Sequence, residues 1–115
     1  MSVLPAHIPI GRLVETFSTS SVGAGHFIWK SSEFENTSSV IFRAVIFSDD
    51  SGTVTSASLS TIGGTQIALL TTNSITPVSL TTTVDLLDDT IYEVKITSDA
   101  EGKLVTLGSA ELEIS

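Results

Sequence analysis

The sequence predicts an all-β fold, an antiparallel, jelly-roll-like β-sandwich of about eight strands. Three observations support this prediction. Apolar and polar residues alternate with a period of two along most of the chain, without the periodicity of a helix. Short apolar runs are separated by Asp, Ser, Gly and Asn, which favour turns. Serine and threonine are abundant, and the β-branched threonine suits the solvent face of a strand.

The alternating stretches give the predicted strands in chain order. They cover residues 13–20, 26–30, 39–47, 53–59, 66–71, 76–86, 91–97, 104–107 and 109–114. Residues 39–47 are apolar on both faces, which predicts a central strand whose outer face is partly covered. Residues 76–86 alternate most regularly, so we expect Val78, Leu80 and Val84 to face the core.

Glycine and aspartate mark the turns between these strands. The pair Gly63–Gly64 predicts a two-residue hairpin loop, because such loops need the positive φ that glycine adopts freely. The stretches SDDSG, LDDT and SDAEGK predict further turns by their composition. Gly108 predicts a bend or a bulge near the C-terminus.

Residues 1–12 are predicted to form an extended N-terminal arm, and residues 13–115 a single sandwich domain. Two prolines favour extended backbone in the arm, which also lacks the basic and long apolar regions of a signal peptide. Its candidate interaction residues are Val3, Leu4, Pro5, Ile8, Pro9 and Ile10. Such a short segment cannot bury these residues by itself. It therefore lies along its own sandwich, reaches onto a neighbouring subunit or stays disordered.

The charge balance argues against nucleic acid as a partner. The chain has 13 acidic and 5 basic residues, a net charge of −8, and the basic residues are scattered. Phosphate binding needs clustered Lys and Arg. No apolar run approaches the roughly 20 residues of a membrane-spanning helix, so no membrane insertion is expected. The absence of cysteine excludes disulfides and thiolate chemistry.

Catalytic motifs are missing, and we predict that the protein is not an enzyme. The sequence contains no nucleophile elbow, no P-loop and no zinc-protease motif. The Gly-x-Gly of GAGHFI (23–28) lacks the third glycine and precedes a strand, so it does not predict nucleotide binding. His7 and His26 lie far apart in sequence, with no third partner for a metal site or a triad.

Acidic pairs in predicted loops are the candidates for metal binding. Carboxylates and backbone carbonyls of loops are the ligands that Ca²⁺ takes, and Asp49 with Asp50 is the best-placed pair. The spacing is not that of an EF-hand. Aspartate also forms turns through its own side chain, so a structural Ca²⁺ and a plain turn are both left open. No other cofactor is expected.

A glycan is the second candidate ligand. Trp29 and Phe34 are aromatic residues close to Glu33 and Glu35, and such a cluster can stack on a sugar ring. The alternative is that Trp29 belongs to the core, since large aromatic side chains are mostly buried.

The order of elements over residues 39–114 resembles small β-sandwich modules of phage structural proteins and bacterial surface proteins. In those modules a Phe-x-Ala strand, a small-residue strand ending in Leu, a Gly hairpin, a Tyr-x-Val strand and a closing Ser-Ala-x-Leu-x-Ile strand follow one another. The matching stretches here are FRA (42–44), TSASL (55–59), IGGT (62–65), YEV (92–94) and SAELEI (109–114). The resemblance implies a sandwich fold and carries no catalytic residues.

These features together predict a non-enzymatic structural or interaction protein. The resemblance implies a phage virion component, such as a head-decoration, neck or fibre-associated protein, assembled in the host cytoplasm. It would assemble through its sandwich faces and its arm, with further copies of itself or with capsid or tail proteins as partners. The alternative is a carbohydrate-binding module of a surface or virion protein, with an extracellular or cell-surface location.

Overall fold

A computed structural model describes residues 6–30 and 39–114 and confirms the antiparallel β-sandwich. The strands are β1 Ala6–Gly11, β2 Val14–Thr16, β3 Val22–Trp29, β4 Val40–Ser48, β5 Thr55–Thr61, β6 Gln66–Thr72, β7 Val78–Thr83, β8 Thr90–Ser98 and β9 Val105–Ile114. Within the described ranges, no helix is long and apolar enough to cross a membrane.

The strands form two antiparallel sheets that pack face to face. The first sheet has the order β1-β9-β4-β7, with β2 also paired to β9, and the second has the order β3-β8-β5-β6. Neighbouring strands are therefore mostly distant in sequence, as in a jelly roll. The edge strands β1 and β3 contact each other on one side of the sandwich, and β6 and β7 do so on the other.

The core consists of the inward residues of the central strands. Along β4 and β8, buried residues alternate one by one with less buried residues, as the sequence pattern predicts. The largest fully buried side chains are Tyr92, Phe42, Ile46, Leu59, Ile96, Leu107 and Leu112. Val84 is buried too, while Val78 and Leu80 remain half-buried because β7 lies at a sheet edge.

Three local predictions need correction. The segments 104–107 and 109–114 form one strand, β9, whose pairing with β4 shifts register at Gly108 instead of breaking. The loop at 62–64 has three residues rather than two, closed by a 2.9 Å bond from Thr61 N to Thr65 O. Of its two glycines, Gly64 alone has a positive φ.

The described part of the predicted arm is a strand of the sandwich. Residues 6–11 form β1 and pair antiparallel with β9 of the same chain. Ile10 is buried in the core, Ile8 packs partly against it, and Pro9 is exposed. Residues 6–11 of the arm therefore lie along their own sandwich. Val3, Leu4 and Pro5 lie outside the described residues.

Direct backbone contact between β1 and β3 closes one side of the sandwich. The amide of Arg12 donates a 3.0 Å hydrogen bond to the carbonyl of Ala24. A Cβ placed on Gly25 would lie 2.3 Å from the carbonyl oxygen of Ile10, so no larger residue fits without displacement. Close packing of the two sheets is therefore the structural reason for a glycine at the end of the Gly-x-Gly sequence.

Candidate functional site

A cavity of about 230 Å³ opens at the end of the sandwich where β3 and β7 end and β4 begins. It is lined by Trp29, Ser39, Val40, Thr83, Val84, Asp85 and Leu86. The lining comes from the ends of β3, β4 and β7 and from residues that adjoin β4 and β7, so both sheets contribute to it. A site of this kind exists only once the two sheets have packed.

The alternation of β7 continues into the residues that form one wall of the cavity. Val84 is buried, Asp85 is exposed and Leu86 packs partly against the core. The amide of Val84 donates a 2.9 Å hydrogen bond to the carbonyl of Val40. This bond ties the end of β7 to the start of β4 and fixes the position of Asp85 beside Ser39.

The loop that follows this wall is anchored to the second sheet. The amide of Leu87 donates to the hydroxyl of Tyr92 at 2.8 Å, and the amide of Asp89 donates to the carbonyl of Trp29 at 2.8 Å. Asp89, at a φ of 56°, also forms an ion pair with Lys30. These bonds join the loop next to the wall to the second sheet, and groups that are already bonded in this way lower the ordering cost of binding.

Trp29, one of the two predicted glycan contacts, lies in the core. Its side chain points inward from β3 with 6% of the residue exposed, so its indole offers no open face on which a sugar could stack. It contributes an apolar surface to the cavity instead. Phe34, the second predicted contact, lies outside the described residues.

The polar groups of the cavity are hydroxyls and one carboxylate. Ser39 and Thr83 supply the hydroxyls, and Asp85 is the single titratable side chain of the described lining. Glycoside hydrolysis ordinarily uses two carboxyl groups that flank the bond to be broken. The described lining can form hydrogen bonds to a polyhydroxylated ligand, and it contains one such carboxyl group.

The predicted calcium residues occupy a turn between β4 and β5. The carboxylate of Asp50 accepts a 3.0 Å hydrogen bond from the hydroxyl of Thr53. The backbone carbonyl of Asp50 accepts a hydrogen bond from the hydroxyl of Ser48. Lys103 lies 4.0 Å from the same carboxylate. Across residues 6–30 and 39–114, no three His, Asp or Glu side chains are grouped to hold a metal. The turn role of Asp50 is observed, and calcium at Asp49 and Asp50 stays a prediction.

The two histidines lie on different sheets. His7, on β1, forms contacts of 3.2 and 3.5 Å with Glu111 and Glu113, and Arg43 contacts the same two carboxylates. This cluster on the outer face of the first sheet pairs its charges internally. His26 lies opposite Glu93 on the second sheet and borders a shallower cavity of about 270 Å³ beside β1.

Sequence reasoning missed Ser39, Thr83 and Asp85. The signal for Asp85 was present, since it is the outward residue at the end of the most regular alternation, next to a turn. Nothing in the sequence indicated that Ser39 lies beside it. That neighbourhood arises from the pairing of β4 with β7, between which β5 and β6 intervene along the chain.

The comparisons with known proteins show the fold. No known protein family matches the sequence, and no curated protein matches it. The CBM36-1 domain of a multidomain xylanase from the hindgut metagenome of Trinervitermes trinervoides is similar in structure, with a TM-score of 0.62, 9% identity and 97% of each chain covered. Dimeric latent PorU from Porphyromonas gingivalis is similar with a TM-score of 0.55 and 9% identity, over 96% of this chain and 12% of PorU.

These two structures confirm the sandwich fold that the sequence resemblance implied. One of them is a carbohydrate-binding module, a domain type that is not catalytic in itself. Both likenesses fall at 9% identity, and a fold of this kind hosts many unrelated functions. These likenesses therefore show that the chain has a β-sandwich fold.

Proposed function

We propose that this chain is a non-catalytic carbohydrate-binding module that holds a neutral sugar in the cavity beside Asp85. The observation that carries the proposal is the composition of the described cavity lining, which has one carboxylate and two hydroxyl side chains beside an apolar surface. The structural likeness to the module of a xylanase supports the same function. A location outside the cell, at a polysaccharide surface, follows from it.

The chemistry of the lining favours a neutral ligand. The two oxygens of Asp85 can accept hydrogen bonds from neighbouring hydroxyls of one sugar ring, and Ser39 and Thr83 can donate or accept. An acidic sugar would meet this carboxylate and a chain of net charge −8. The cavity is also smaller than the roughly 300–1,000 Å³ of pockets for drug-sized ligands, which suits one ring of a longer chain.

Removing the carboxylate tests the proposal. We expect Asp85→Ala to weaken binding to polysaccharide about tenfold or more, because hydrogen bonds to a charged group contribute about 1.5–3 kcal/mol. The measurement is affinity electrophoresis of the folded protein in gels containing soluble xylan, mixed-linkage glucan or mannan.

Asp49→Ala is the matched control for this experiment. It removes the same charge from an exposed position at the opposite end of β4, roughly 30 Å away by the rise of a strand. Its mobility in the gels should equal that of the wild type. Equal retardation of the Asp85 and Asp49 variants, or a wild type that no glycan retards, would contradict the proposal.

An assembling structural role, as in a virion, is the second candidate. The observation that favours it is that residues 51–84, which include β5, β6 and β7, contain no Asp, Glu, Lys, Arg or His. Two edge strands of the sandwich lie in this uncharged region. Self-association in solution is the property that distinguishes this role from sugar binding.

A further inference from the structure

We infer that two copies of this chain associate edge to edge through β7, which joins their first sheets into one sheet across a two-fold axis. This interface deepens the assembling role proposed above. It shares Thr83 with the described lining of the sugar cavity, so its tests use residue 81, which is not part of that lining. Three features of the described residues carry it: the exposure of β7, its lack of protection against pairing, and the distribution of charge.

β7 is the least covered strand of the sandwich. Among the nine strands of the described ranges, it alone contains no buried residue. Its outward residues Ser79, Thr81 and Thr83 are exposed, and its inward residues Val78 and Leu80 are half-buried. One side of its backbone pairs with β4, and no strand of residues 6–30 and 39–114 pairs with the other side, so β7 is a sheet edge of the described structure.

β7 also lacks the features that keep other edge strands from pairing with a strand of another molecule. Natural edge strands are protected by charged residues, prolines or bulges. Here β1 contains Pro9 and a register shift, the pairings of β3 and β6 each contain a shift, and β2 carries Glu15. The pairing of β7 with β4 runs from Ile41 to Ile46 without a shift, and β7 has no charged residue.

The charge distribution favours a second copy as the partner. Two chains of net charge −8 repel each other over most of their surfaces. The region 51–84 is free of charge, so approach through β7 brings neutral surfaces together. An antiparallel strand is complementary to itself about a two-fold axis, and the same patch then serves both copies. Pairing would also cover Val78 and Leu80.

A charge placed on β7 tests the interface. Wild type should show twice the monomer mass in light scattering at high micromolar concentration, and Thr81→Glu should raise the dimer dissociation constant roughly fivefold or more, since like charges then face each other. The new carboxylate lies opposite Arg43 within its own chain, so we expect the fold to be preserved.

Ser109→Glu is the matched control. Ser109 is exposed on the same face of the same sheet, but on the interior strand β9. This variant adds the same charge and should keep the mass of the dimer. A monomeric wild type would overturn the inference, and so would an equal effect of the two variants.

Cross-linking gives a second readout that does not depend on the charge variant. The chain has no cysteine, so Thr81→Cys and Ser109→Cys each introduce one thiol. With the two-fold axis at the middle of β7, two copies of residue 81 would lie opposite or diagonal to each other, within about 8 Å. Two copies of residue 109 would lie five strand spacings apart, roughly 24 Å. A short bismaleimide should link the first variant into dimers and leave the second monomeric, and equal or absent linking in both would overturn the inference.

Discussion

Gly25→Ala is expected to lower the free energy of unfolding by about 3 kcal/mol, the upper end of the usual cost of overpacking, because there is no space for the new methyl group. Its Cβ would lie 2.3 Å from the carbonyl oxygen of Ile10 and 3.2 Å from the Cα of Gly11. Both neighbours are backbone atoms and cannot rotate away. Either β1 or β3 must move, which strains the bond between Arg12 and Ala24. Urea unfolding followed by tryptophan fluorescence measures the loss.

Gly23→Ala is the control on the same strand. A Cβ there would lie 3.0 Å from Oε2 of Glu93, the end of a flexible side chain that can turn aside. We expect its free energy of unfolding to change by less than about 1 kcal/mol, because alanine also restricts the unfolded chain. If both alanine variants unfold at the same urea concentration, the close approach of β1 and β3 is not what requires a glycine.

Phe42→Ala should destabilise the sandwich by about 3–5 kcal/mol. Phe42 is fully buried on β4, the strand that lies between β9 and β7, and its Cα pairs with Leu112 and Thr82. The substitution removes a large apolar surface and leaves a cavity between the sheets. A domain of this size has a total stability of about 5–15 kcal/mol, so the variant is expected to unfold well below the wild-type midpoint.

Phe17→Ala provides the comparison for the same change of side chain. Phe17 is 57% exposed in the connection after β2, and its loss should cost less than about 1 kcal/mol. Thermal unfolding by circular dichroism measures both variants. A similar fall in midpoint for Phe17→Ala and Phe42→Ala would mean that Phe42 does not occupy the centre of the core.

The alternation of residues predicted the strands and their inward faces because it depends only on neighbouring positions. In a strand, successive side chains point to opposite faces, so Tyr92 and Val94 could be assigned to the core from the pattern alone. For Trp29 the sequence left two positions open, a sugar contact and the core, and the structure has it buried with 6% of the residue exposed. Stacking of a sugar on Trp29 would require an exposed indole ring, and this ring is buried.

The reason for Gly25, the lining of the cavity and the position of the arm all depend on which strands become neighbours. A local pattern of residues does not contain that information. The Gly-x-Gly of residues 23–25 had no explanation in the sequence, and Gly25 is explained by the approach of β1 from the other sheet. Ser39 and Asp85 meet because β4 pairs with β7. The arm looked separate from the domain because nothing in residues 6–11 indicated that β9 would accept them as an edge strand.

Whether the cavity beside Asp85 binds a sugar can be tested by an NMR titration. The labelled wild-type chain is titrated with oligosaccharides of the polysaccharide that retards it most in gels. We expect chemical-shift changes to concentrate at the amides of Ser39, Thr83 and Asp85 and to saturate with one site per chain. Shifts confined to other surfaces, such as the outer face of the second sheet around Ile28 and Ile91, or no shifts at saturating sugar, would contradict it.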